Sequence, residues 1–329
     1  MSILRVGRSV LDAVRELDLG AIEREVAYPI RVLVAGRAAS ELDHFVRVAL
    51  ANHDQTRARQ HVEILEIESE MQLIVPRGLD LAILVSTRAG ELSPEELILC
   101  STLRAYAVPM ILVDLEPDGS GTPGLQVSHR WIPDLPADRQ VRGRLSETDD
   151  LLKHLSTALA TLEHHQIAPL ACCFEPLRPH LVEVLVRDAS RANGQFALIS
   201  SIPTLIPLVG GIVSSVADFF VLTKNQVMLV FRIAGIYGRD ISDRLGLALE
   251  IVPVVGGAFL WRSVARSLVA LLPGFISAVP KTFVAYVGTY VVGQMAHFYY
   301  REGRRPSPEV LDRIRQEGLA LAGKFFGRK

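Results

Sequence analysis

Apolar residues recur along the chain in three rhythms: helical spacing, alternation and unbroken runs. Val10, Leu11, Val14 and Leu17 lie at helical spacing with charges between them, and Ile22 and Val26 resume a short apolar face after Gly20. Tyr28-Pro29 closes this leader. Ile30 to Ala35 is rich in β-branched residues, is stopped by Gly36, and predicts a strand. A helix follows over Ser40 to Ala51, with Leu42, Phe45, Val46 and Ala49 on one face. Val62 to Ile67 alternates apolar and acidic positions, the pattern of an edge strand with one wet face. Met71 to Val75 reads as a short strand before Pro76-Arg77-Gly78. Leu81 to Val85 and Pro109 to Val113 are unbroken apolar runs that predict buried parallel strands. Ser93-Pro94-Glu95-Glu96 is a capping box with proline at the first helical position, and it opens a helix to about Tyr106. A loop rich in glycine and proline covers Glu116 to Pro136. Ser146 and Thr148 then precede a helix carrying Leu151, Leu152, Leu155, Leu159 and Leu162. Strands alternating with helices over residues 30–165 predict a doubly wound, mostly parallel α/β sheet.

The second half changes rhythm. Ala192 to Ala217 holds no charged residue across 26 positions. Pro203, Pro207 and Gly210-Gly211 divide it into arms of roughly 10–15 residues, too short to cross a hydrocarbon core of about 30 Å. Two arms meeting at a Pro–Gly corner predict a helical hairpin that enters and leaves by one face. Ile206-Pro207-Leu208-Val209-Gly210-Gly211 is echoed by Val252-Pro253-Val254-Val255-Gly256-Gly257, 46 residues later. Ser267 to Pro280 and Thr282 to Tyr300 follow without Asp, Glu, Lys or Arg, and Pro273 and Pro280 are expected to break them. Ser307-Pro308-Glu309 opens a last helix whose stripe of Val310, Ile314, Leu321 and Phe325 suits docking on the bundle or a membrane surface. The expected divisions are 1–29 as leader, 30–165 as α/β domain, 166–306 as helical domain with two apolar blocks, and 307–329 as amphipathic helix.

Charge sharpens this division. The net charge of −1 excludes a globally basic nucleic-acid binder, and no nucleic-acid partner is expected. Residues 1–165 carry a balance of −8 and residues 166–329 one of +7. Basic residues flank the apolar blocks: Arg187 and Arg191, Lys224 and Arg232, Arg262 and Arg266, then Arg301, Arg304 and Arg305. Basic flanks on both sides favour hairpins returning to one face and contact with anionic lipid. Three cysteines, Cys100, Cys172 and Cys173, build no disulfide framework and suit a reducing compartment. His164-His165, Cys172-Cys173 and His180 lack metal-ligand spacing, so no metal is expected. Asp218, Lys224, Asn225 and Gln226 follow the first apolar block as a polar cluster at the membrane junction, with bonding inside a helical bundle as the plainer role.

The order of elements in the first half resembles the small-GTPase fold of the P-loop superfamily, and the comparison turns on what is missing. A phosphate loop needs G-x-x-x-x-G-K-[ST]: glycine for backbone approach, lysine for charge, and a hydroxyl for magnesium. The segment in that place is Gly36-Arg37-Ala38-Ala39-Ser40-Glu41-Leu42-Asp43. Gly36 survives. Glu41 stands at the second glycine position, Leu42 at the lysine and Asp43 at the hydroxyl. Two acids there would repel a triphosphate. The metal-reaching D-x-x-G motif is reduced to Val75-Pro76-Arg77-Gly78, and of the guanine-reading N-K-x-D motif only Asp118 stands as a remnant. Loss at three sites implies a pseudo-GTPase with no catalytic residue and no cofactor.

Three stretches stand out in the second half: Arg187-Asp188-Ala189-Ser190-Arg191-Ala192-Asn193, Leu222-Thr223-Lys224-Asn225-Gln226-Val227-Met228 and Ile236-Tyr237-Gly238-Arg239-Asp240. Through them the second half resembles the bacterial YcjF-like family. The resemblance implies membrane association at the cytoplasmic face of a bacterial inner membrane and no established enzymatic activity. Membrane lipid and a protein partner or second copy are the expected partners. The expected role is a non-catalytic interaction module, with an unconventional GTPase and a membrane-remodelling protein as alternatives.

Overall fold

The computed structural model describes residues 18–51, 62–69, 74–87, 92–116, 139–162, 167–200, 211–251 and 278–326, with the backbone alone over 211–220 and 278–281. The chain divides into two compact units, Ala27–Val184 and a second made of Met1–Val26 with Leu185–Lys329.

The first unit is an α/β layer structure. Its strands are β1 (Val32–Gly36), β2 (Val62–Glu66), β3 (Leu81–Ser86), β4 (Met110–Leu115) and β5 (Gln140–Gly143), all parallel in the order β2-β1-β3-β4-β5. The unbroken apolar runs form the centre: β1, β3 and β4 are buried along their whole length. The alternating segment becomes β2 at the edge, only partly buried, because its acidic positions need water. Helix α2 (Ala39–Ala49) packs on β1, and α4 (Thr148–Leu159) packs on β4, β5 and α2. Helix α3 (Pro94–Ala105) covers the other face, where Leu99, Cys100 and Leu103 meet Leu33, Ala35, Ala82, Leu84 and Leu112. The Ser93–Glu96 capping box forms in both directions, at 3.2 and 2.6 Å. α5 (Ile167–Cys173) follows with Phe174 and Leu177 fully buried.

Two expectations need correction here. Ile74 and Val75 are not in a strand, while Met71 to Leu73 lie outside the described residues. Conversely, β5 forms from Gln-Val-Arg-Gly, whose single apolar residue leaves no periodicity to read.

The second unit is helical. It contains α1 (Leu19–Val26), α6 (Arg178–Ile199) from Leu185 onward, α7 (Gly211–Ile236), α8 (residues 244–251), α9 (Ala278–Glu302) and α10 (Pro308–Phe326). The leader helix α1 thus belongs with the helices, packed on α7 through buried Leu19 and Ile22 and a 2.9 Å Arg232–Glu25 ion pair. α6 and α9 are antiparallel, since Gly194 meets Tyr286 while Gly293 meets Val186. α7 and α9 are parallel: Gln226 lies by Thr289, Leu229 by Gly293 and Tyr237 by His297. α10 runs against α9, with Gly318 at Tyr290 and Phe326 at Tyr286. Gly194, Gly293 and Gly318 each sit where an added Cβ would come within 3.0 Å of a neighbouring side chain, so these helices pack through absent side chains.

The helices beside the first Pro–Gly corner are longer than the predicted arms. α6 has 22 residues and α7 has 26, because each continues past its apolar stretch through charged positions such as Arg187, Lys224 and Arg232. Pro280 does not break a helix. It is the third residue of α9, in the first turn, where its missing N–H costs no hydrogen bond. Pro203, Pro207 and Gly210 of the first corner, and Pro253, Gly256-Gly257, Arg262, Arg266 and Pro273, lie outside the described residues. Among the described residues no helix is long and apolar enough to cross a membrane.

Candidate functional site

In a doubly wound sheet, ligands gather at the carboxyl ends of the strands, where the strand order switches direction. Here that place lies between β1 and β3, and it is where a phosphate loop would stand. Gly36 ends β1. A Cβ on it would collide with the Val85 carbonyl oxygen and stand 3.0 Å from Leu42 Cδ2, so this glycine is required by close packing. Only Arg37 and Ala38 separate β1 from α2. Leu42 N–H already donates to the Ala38 carbonyl at 3.0 Å, so residues 39–42 are wound as helix and do not form a loop that could encircle a phosphate. Leu42 is 1% exposed and points into the core beside Gly36. Glu41 is half-buried and Asp43 faces solvent. Arg37 donates to the Ser69 hydroxyl at 3.0 Å, tying the β1–α2 turn to the segment after β2.

The degenerate positions Val75 and Gly78 do not gather here. Arg31, just before β1, donates to the Arg77 carbonyl at 2.9 Å, so Val75 to Gly78 precede β3 at the amino edge of the sheet. A motif there lies across the full sheet height from Gly36. Asp118 is outside the described residues. Sequence reading passed over the residues that do occupy the carboxyl edge at β4 and β5. Asp114 is buried at 2% exposure and accepts from Arg142 at 3.0 Å, and Glu116 bridges Arg142 and Arg144. Burial raises the Asp114 carboxyl above its ordinary range, against the pull of Arg142. These charges are engaged with each other.

The polar cluster read after the first apolar block is partly assembled. The Asn225 amide donates to Asn193 Oδ1 at 2.7 Å, Asn193 to Thr289 Oγ1 at 2.9 Å, and Gln226 to the same hydroxyl at 3.1 Å. Thr289 in turn donates to the Ala285 carbonyl at 2.9 Å. α6, α7 and α9 are therefore stitched together by neutral side chains, with Asn193, Gln226 and Thr289 almost wholly buried. Nothing in this network titrates, so its chemistry is orientation. Lys224 is half-buried beside it, and Asp218 is placed only as a backbone position in α7. Asn193 and Thr289 join the cluster from outside the expected set. Their one sequence signal is a polar group inside an uncharged run.

A second cluster closes the far end of α7 and α9. The Tyr237 ring lies 6.0 Å from His297 and 6.3 Å from Tyr300. Burial pushes the Tyr300 hydroxyl far up, and Arg239 pairs with Glu250 at 2.6 Å. Cys172 and Cys173 end α5, His180 faces Asp149 at 3.4 Å, and His164-His165 lie outside the described residues. Among the described residues no three His, Cys, Asp or Glu side chains come together as metal ligands.

Compared with known proteins, the chain matches no family model, and no curated protein matches it significantly.

Proposed function

We propose that this protein is a membrane-associated pseudo-GTPase, a non-catalytic interaction module held at the cytoplasmic face of a bacterial inner membrane. Strand order alone does not carry this, because doubly wound sheets serve many functions. The observation that carries it is the two-residue turn between Gly36 and Ala39, with Leu42 turned into the core. The space and charge that a triphosphate needs are taken by helix and by aliphatic side chain. Glu41 and Asp43 add repulsion. The location rests on the uncharged run from Ala192, the basic flanks and the YcjF-like stretches. The partner would be protein, either another chain or a second copy, with lipid as the anchor.

The test is titration calorimetry of the full chain with GTP and ATP in the presence of magnesium. Binding no tighter than about 1 mM, near −4 kcal/mol, is expected. A micromolar dissociation constant would sink the pseudo-GTPase reading.

A further inference from the structure

The helical unit is polarised along its axis. Because α7 and α9 run parallel and α6 and α10 run against them, α6 and α10 end where α7 and α9 begin. At this end Leu198, Ile199 and Phe325 are 40%, 59% and 37% exposed. Arg191 precedes Leu198 by two turns on the same face of α6 and holds its guanidinium 5.8 Å from the Phe325 ring. Lys324 is adjacent in sequence, Lys224 lies on the neighbouring α7, and Lys281 falls in the first turn of α9. Asp188, on α6, pairs with Arg191 at 3.2 Å, and Asp218 is the acid on the neighbouring stretch of α7, which leaves Lys224, Lys281 and Lys324 as the excess of positive charge. The opposite end carries both signs: Arg239 pairs with Glu250, Arg301 with Glu302 and Arg315 with Asp312, with Arg304 and Arg305 beside them, and the exposed apolar residues there lie on α8 instead of at helix ends.

We propose that the apolar end seats in an anionic bilayer surface, entering end-on. Leu198 and Ile199 reach the acyl region, and Arg191 and Lys324 lie level with the lipid phosphates. Arg191 stands eight residues before Ile199, about 12 Å along a helix axis and less than the roughly 15 Å of one leaflet. The end of α6 therefore reaches no deeper than one leaflet. Positive charge around an apolar tip complements anionic headgroups, whereas a protein partner would have to match both features at one small end. This inference rests on the membrane reading above and adds which end engages.

The opposite end supplies the control, since Leu245 and Leu249 on α8 are each 61% exposed. The experiment is flotation of the full chain with phosphatidylcholine vesicles containing about a third phosphatidylglycerol. Replacing Leu198, Ile199 and Phe325 together by Glu should lower the bound fraction roughly tenfold or more. The pair Leu245→Glu and Leu249→Glu should float like wild type, and circular dichroism should be unchanged in both variants. A nitroxide at Ile199→Cys, in a background without the native cysteines, should report acyl-chain depth, and one at Leu249→Cys should report water. Loss of flotation in the α8 pair alone, or a water signal at position 199, overturns the end assignment while the membrane reading stands. Wild-type chain that stays unbound to every vesicle composition overturns both.

Discussion

Buried polar side chains decide the residue scale, and two of them make sharp predictions. Asp114 is a carboxylate at 3% side-chain exposure whose main partner, Arg142, is itself a third exposed. Replacing Arg142 by Met should cost about 2 kcal/mol at neutral pH, discounted from the fully buried case because solvent screens the pair. Burial raises the Asp114 carboxyl above 3.8 in the folded state, so folding gains a proton-linked contribution at low pH that fades as pH rises through the raised value. Asp114→Asn should therefore match wild type under acid conditions below that value and gain on it toward neutrality, as urea titrations at several pH values would show. The opposite trend would mean that Arg142 outweighs burial. Thr289 receives two amide donors, from Asn193 and Gln226. Thr289→Val keeps the shape and strands both donors, so a loss of about 2–4 kcal/mol is expected by denaturation of the full chain. A neutral result would mean that water enters the network. At this scale the sequence was legible where the residue is aliphatic. Leu42, Phe45 and Ala49 share the apolar face expected of their helix and are buried. Thr289 was not legible, because a hydroxyl among valines looks the same whether it faces a partner helix or solvent.

At the scale of elements, the turn between β1 and α2 sets what the sheet can bind. A lysine restored at position 42 would not restore a phosphate loop, because the helix already starts at Ala39 and the side chain points inward. Leu42→Lys should bury an ammonium beside Gly36, destabilise the fold by about 3 kcal/mol or more, and leave GTP binding undetectable in calorimetry. Recovery of nucleotide binding in that variant would show that the turn can reopen. Elements with their own local signal were legible: the capping box at Ser93, the solid runs of β3 and β4, and the alternation of β2. β5 was not, because four residues with one apolar side chain acquire strand geometry only from pairing with β4. Pro280 misled because proline breaks a helix interior but is tolerated in a first turn, and where a helix begins is decided by its packing.

At the scale of the whole molecule the chain is two units whose borders differ from the charge divide. A fragment of residues 27–184 should fold in one cooperative transition, since it holds the sheet, α2 to α5 and the first turns of α6. A fragment of residues 1–165 should be less stable. It loses α5 with its fully buried Ile167 and Leu170, and it carries α1 without the α7 surface that buries Leu19 and Ile22. Thermal unfolding of both followed by circular dichroism decides the matter, and a cooperative 1–165 beside a molten 27–184 would overturn the border. Within the helical unit the placement of Arg191 and Arg239 toward different ends of one bundle follows from α6 and α7 running in opposite directions.

The sequence by itself determined the parallel α/β sheet, the helices after it, the buried strands and the absence of phosphate-loop side chains. Each of these is written in spacing over a few residues, because strand and helix periods are local geometry. Tertiary structure alone decided that α1 joins the helical unit, that α7 and α9 run parallel, that Asn193, Gln226 and Thr289 meet, and that the apolar helix ends share one end of the bundle. Asn193 and Thr289 are separated by 96 positions, and no local pattern encodes a contact at that distance. It arises only when glycines at the helix surfaces let the backbones approach, and burial then obliges each polar group to find a partner.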